Sequence, residues 1–123
     1  MKLKTISLLL LSCCLAGCPP IYNINLKNEA SNPIVVLYPY NGKELLTIPG
    51  NGGEGEEIWD QYCFALKEEG KKLYFISANL PKEAYEKHYF STSVYATYKN
   101  GKLNYMNKQN ELVKVVDGVE KCN

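Results

Sequence analysis

Val94-Tyr95-Ala96-Thr97-Tyr98-Lys99-Asn100-Gly101-Lys102-Leu103-Asn104-Tyr105 is the stretch that decides the fold. Asn100 and Gly101 both tolerate positive φ, which a two-residue hairpin loop demands, and each flanking run alternates with a period of two. A two-residue loop pairs Tyr98 with Leu103 and Ala96 with Tyr105. Those four residues and Val94 then share one face, while Thr97, Asn104 and the lysines Lys99 and Lys102 take the other. The stretch therefore predicts an antiparallel strand pair with one aromatic, apolar face to bury.

Two further turn signals lie on either side of it. Asn41-Gly42 separates Ile34-Val35-Val36-Leu37-Tyr38 from Leu45-Leu46-Thr47-Ile48, and Asp117-Gly118 separates Leu112-Val113-Lys114-Val115-Val116 from Val119-Glu120-Lys121-Cys122. Both predict hairpins. The first register pairs Leu37 with Leu46 and Val35 with Ile48. That leaves Val36, Tyr38, Tyr40 and Leu45 on a second face, either buried too or exposed as an aromatic patch. Pro39 cannot donate to a ladder, so a bulge or an edge is expected there. The second register sets Cys122 beside Val113, with its thiol inward.

Tyr22-Asn23-Ile24-Asn25-Leu26 alternates as a first strand, and Leu73-Tyr74-Phe75-Ile76 is a short apolar run. Residues 58–67 fit a helical face through Ile58, Trp59, Tyr62, Cys63 and Leu66, or a strand through Tyr62, Phe64 and Leu66. The turn chemistry of Glu68-Glu69-Gly70-Lys71, leading into Leu73, favours the strand. Pro81 to His88 reads as a short helix, with Pro at its first position and Glu83 four residues before Lys87. The pattern is all-β: a small β-sandwich or barrel of about 6–8 antiparallel strands, with one short helix near residues 81–88, in a single domain spanning 22–123.

The start of the chain carries a different signal. Lys2 and Lys4 precede an apolar stretch from Thr5 to Ala16, which at about 12 residues falls short of the ~20 that span a bilayer. A basic start, an apolar core and small residues after it are the parts of a secretory signal. Leu15-Ala16-Gly17-Cys18 resembles the lipobox of bacterial lipoproteins. The resemblance implies cleavage of residues 1–17, a diacylglycerol on the Cys18 thiol and a further acyl chain on the freed amine. Cys14 is a rival site, but Cys13 precedes it where the family has a small residue. Residues 18–21, with Pro19 and Pro20, are then a stiff tether. Pro19 stands where an Asp would signal inner-membrane retention in Gram-negative bacteria. The implied location is the cell envelope: the outer membrane, facing the periplasm, in a Gram-negative source, and the one membrane present in a Gram-positive one.

Of five cysteines, Cys13 and Cys14 leave with the signal and Cys18 is lipidated. Cys63 and Cys122 remain, an even pair in an exported chain, which reads as a disulfide. Two inert buried thiols are the alternative. Fourteen basic residues face thirteen acidic ones, and two of the lysines go with the signal. Near-neutrality steers toward neither nucleic acid nor anionic lipid. Every basic residue is lysine. The missing arginine fork weighs against phosphate-rich ligands, or reflects only the codon usage of an AT-rich genome.

Candidate chemistry is sparse. Gly50-Asn51-Gly52-Gly53-Glu54-Gly55 matches G-x-G-x-x-G, but Glu54, Glu56 and Glu57 would repel a pyrophosphate and no βαβ unit follows. The segment reads instead as a mobile glycine loop, or as a weak Ca²⁺ site using Glu54, Glu56, Glu57 or Asp60. His88 is the single histidine, too little for a usual zinc site. It reads as a surface residue, and a pairing with Ser91 or Ser93 lacks any nucleophile motif. Ten tyrosines suit cross-strand packing or a partner surface built on Tyr38, Tyr40 or Tyr95. The expectation is a non-enzymatic, membrane-tethered binding or assembly module without cofactor, metal or nucleic acid. Its partners would be the bilayer, through Cys18, and a protein of the envelope. The alternatives are an inhibitor of an envelope-acting enzyme, presenting residues 49–57, and a small hydrolase.

Overall fold

The structure is a computed structural model that describes residues 21–122; the signal, Cys18, Pro19, Pro20 and Asn123 lie outside the described residues. Ten strands occur among them: β1 (Ile21–Asn28), β2 (Ile34–Leu37), β3 (Glu44–Ile48), β4 (Gly53–Ile58), β5 (Phe64–Glu68), β6 (Lys71–Phe75), β7 (Tyr85–Lys87), β8 (Ser91–Lys99), β9 (Lys102–Met106) and β10 (Leu112–Asp117). They form two sheets, not a closed barrel. One runs β10-β9-β8-β1-β4, with β7 also paired to β8, and the other runs β3-β2-β5-β6. Ile21, expected in the tether, is the first residue of β1.

Alternation explains the inner face of the larger sheet. Ile24 and Leu26 of β1, Val94, Ala96 and Tyr98 of β8, and Leu103 and Tyr105 of β9 are buried. Their neighbours Asn25, Lys27, Thr97 and Asn104 point away from the core, as a period of two requires. The Asn100-Gly101 hairpin has the expected register, Tyr98 opposite Leu103 and Ala96 opposite Tyr105. Asn100 and Gly101 both take positive φ, 52° and 73°. Residues 64–68 are a strand, and Glu69 and Gly70 turn it into β6, with Leu66 opposite Leu73.

The structure corrects the other expectations. The β2–β3 hairpin is shifted by one residue: Val36 faces Leu46 and Ile34 faces Ile48, with a bulge between Val36 and Leu37. The extra residue lets Leu37 meet Glu44 while Pro39 stays in the turn, outside the ladder. Not all pairing is antiparallel, because β1 lies parallel to β8. The short helix expected near 81–88 is a single 3-10 turn, Lys82–Ala84, and it gives way to β7. A single i,i+4 pair cannot outweigh the pairing of Tyr85 with Val94 and of Glu86 with Ser93.

Asp117-Gly118 makes no hairpin either. Gly118 N–H donates to the Gly101 carbonyl, and Val119 crosses to bridge Tyr74 of the second sheet. That crossing carries Cys122 to Cys63. The two are disulfide-bonded with Cα atoms 5.8 Å apart, 59 residues apart in sequence. The pair is as expected, but it is reached across the sandwich.

Gly50–Gly55 is not a glycine loop, and residues 49–57 do not form one protruding loop. The chain turns within 49–52, and Gly53–Ile58 is a strand paired along its length with β1. The glycines make room for close packing. A Cβ on Gly55 would come within 2.7 Å of Leu46 Cδ2 and 3.0 Å of Ile48 Cδ1, where β3 and β4 meet at the sandwich corner.

Asn28, fully buried, locks this corner. Its amide nitrogen donates to the carbonyls of Asn32, Ile48 and Pro49, and its oxygen accepts from Ala30 N–H. Trp59 organises the core. Its indole N–H donates to the Tyr105 hydroxyl at 3.1 Å, and its ring makes edge contacts with Tyr22, Tyr85 and Tyr105.

Candidate functional site

An apolar cleft of about 210 Å³ opens beside the β2–β3 turn, lined by Leu37, Tyr38, Tyr40, Leu45, Ile58 and Phe64, among others. The β2 bulge and Pro39 throw Tyr38 and Tyr40 out of the ladder and onto the surface. They pack edge to face with ring centres 5.4 Å apart. The Tyr40 hydroxyl donates to Asp60 Oδ2 at 2.6 Å, and Asp60 Oδ1 accepts from Tyr62 N–H at 2.8 Å. The hydrogen bond to the carboxylate holds the Tyr40 pKa above its ordinary value. Cys63 borders the cleft, so the disulfide braces its wall. Such a site offers apolar area with a few polar tips, suited to a small aromatic or aliphatic group.

A second, larger groove of about 420 Å³ lies on the outer face of the six-stranded sheet, lined by Asn25, Lys27, Glu54, Glu56, Tyr95 and Thr97, among others. Glu54 and Glu56 project there because alternate residues of β4 face outward. The Tyr95 hydroxyl donates to Glu86 Oε1 at 2.8 Å. That bond is the largest influence holding the Glu86 carboxyl below its usual value, and it raises Tyr95.

The β7–β8 turn holds the third group. His88 Nε2 lies 3.1 Å from Ser93 Oγ and also 3.1 Å from Glu86 Oε1. A serine–histidine–carboxylate relay uses opposite ring nitrogens, one toward the nucleophile and one toward the acid. Here both neighbours crowd one nitrogen, and Ser93 is buried. The geometry is that of a polar clamp on the turn. Next to it, Tyr89 and Phe90 stand 92% and 80% exposed, stacked edge to face at 4.5 Å.

Among the residues expected to form sites, Cys63 and Cys122 are joined, and Tyr38 and Tyr40 share the cleft. Tyr95 belongs to the polar groove instead. Glu54 and Glu56 line that groove, whereas Glu57 and Asp60 border the cleft. The four carboxylates do not converge. Among the described residues no group of three or more His, Cys, Asp or Glu could hold a metal ion, and no helix is long and apolar enough to cross a membrane.

The sequence reading missed Ile58 as a cleft residue, and it missed Tyr89-Phe90. The latter had a visible signal: two adjacent aromatics just ahead of an alternating run, where one of them had to point outward. No protein-family model, curated protein or solved structure matches the chain.

Proposed function

We propose that the chain is a lipoprotein of the bacterial cell envelope, held to a membrane by acylated Cys18, whose β domain is a non-enzymatic binding or assembly module. The observation that carries the reading is the lipobox Leu15-Ala16-Gly17-Cys18, and the Tyr38–Tyr40–Ile58 cleft supplies the surface for binding. The cleft is apolar, braced by a disulfide and edged by two hydrogen-bonded carboxylates, Glu57 and Asp60. That chemistry suits recognition of an apolar or aromatic side chain on an envelope protein. The diacylglycerol and the further acyl chain implied by the lipobox exceed the single chain that would bind a bilayer only marginally and reversibly.

The anchor is tested by Cys18→Ser in the producing cell. The expected outcome is loss of lipid labelling and accumulation of uncleaved precursor. Normal processing with membrane retention would refute it. The binding surface is tested by capture from envelope extract, comparing the mature chain with Ile58→Ser. A protein retained by the first and lost from the second is the expected result; identical capture by both would exclude the cleft.

A further inference from the structure

We propose that the end of the sandwich from which the chain leaves for Cys18 is itself a membrane-contacting face, with Tyr89 and Phe90 seated in the bilayer interface. The proposal rests on Cys18 being the anchored residue and adds a second, independent contact. Chain geometry places the bilayer. Only Pro19 and Pro20 separate Cys18 from Ile21, and three residues reach at most about 10 Å even when fully extended. Whatever is buried at Cys18 therefore lies close to the start of β1.

The start of β1 is flanked on both sides by exposed apolar groups. Ile21 pairs with Ser91, the first residue of β8, so the Tyr89-Phe90 turn projects from the same end of the sheet as the departing chain. On the opposite side of β1, Asn23 pairs with Ile58, the last residue of β4. Ile58 is 67% exposed and Ile21 55%.

The other end of β1 and β8 is different in kind. Its turns carry Glu29, Asn51, Lys99, Asn100 and Lys102, and no exposed large apolar side chain lies in the turns at 29–33, 49–52, 69–70 or 100–101. The exposed aromatic pair of the six-stranded sheet thus lies at the anchor end, beside the polar β9–β10 turn at 107–111, while Val119, 40% exposed, adjoins Gly101 at the other end. Tyrosine at a protein's rim suits the headgroup region, where its apolar ring and polar tip are both solvated, and phenylalanine beside it adds apolar area to bury at the acyl boundary. Near-neutral charge makes this contact one of apolar insertion. It needs no anionic lipid.

The test uses the mature, lipidated full-length chain in zwitterionic phosphatidylcholine vesicles whose acyl chains carry bromine, a short-range quencher of indole fluorescence. Phe90→Trp places an indole in the turn, where 80% exposure leaves folding undisturbed. Lys99→Trp places one at the opposite end. Emission from unaltered protein supplies the Trp59 baseline. The expected result is a blue shift and loss of most of the added emission for Phe90→Trp, with neither for Lys99→Trp. Unquenched, water-like emission from Phe90→Trp overturns the proposal, as does equal quenching of both variants. The mass of the same samples reports the acyl chains on Cys18. A lipidated chain with an unquenched turn refutes the membrane-facing end alone. Missing acylation refutes the anchor reading, and with it the orientation argued here.

Discussion

Tyr105 shows how one side chain couples the core to pH. Its hydroxyl accepts from the Trp59 indole and lies 2.7 Å from Ser77 Oγ, wholly inside the sandwich. Loss of solvent pushes its pKa up from 10.0 to about 12, against the two hydrogen bonds, which lower it. A raised pKa means that the fold favours the neutral phenol. That stabilisation, about 3 kcal/mol for a shift of this size, is complete below pH 10 and lost as pH climbs through about 12. Tyr98, buried and donating to Glu68, is raised by burial as well. Tyrosinate absorbance during alkaline titration should show exposed tyrosines ionising first and these two only as the protein unfolds. Ionisation of all ten tyrosines near their ordinary value, with the fold intact, would contradict the buried network.

At the scale of elements, β4 is the instructive case. Four glycines within 50–55 and three glutamates nearby look like a solvated loop, yet Gly53–Ile58 is a strand. The missing side chain at Gly55 admits Leu46 and Ile48 from β3, while Glu54 and Glu56 face outward. Gly55→Ala should therefore cost about 1–3 kcal/mol through overpacking. Glu54→Ala, on the outer face, should stay within ~0.5 kcal/mol. Urea unfolding midpoints of the two variants decide this, and equal midpoints would show that the corner has room to spare. Asn28 belongs to the same corner. One buried amide closing on three carbonyls cannot be found from sequence spacing, since Asn28 reads like any polar residue at a strand end.

For the whole molecule, the Cys63–Cys122 bond ties the last residues of the chain to the start of β5 and to the wall of the cleft. Cys63→Ala and Cys122→Ala should each cost about 2–5 kcal/mol. The double variant should cost little more than either, because one bond is lost in each case. Melting temperatures of the three variants and thiol counting on denatured, unreduced mature protein check it. Two reactive thiols at 63 and 122 would exclude the bond.

The all-β class, the Asn100-Gly101 register, the Glu69-Gly70 turn and the cysteine pair were all legible in the sequence. Each rests on short-range chemistry: positive φ in two adjacent residues, a period of two, and parity of thiols. The resemblance of Leu15-Ala16-Gly17-Cys18 to a lipobox is likewise a linear signal. Tertiary structure alone decided that the bulge falls between Val36 and Leu37, which moved the β2 register, and the parallel pairing of β1 with β8. It also decided the crossing of Val119 to the second sheet and the gathering of Tyr38 and Tyr40 of the β2–β3 turn with Ile58 at the end of β4. The physical reason is the same for all four. Local propensity chooses a strand, but its neighbours are chosen by which faces can be buried together, and that depends on residues far away in the chain.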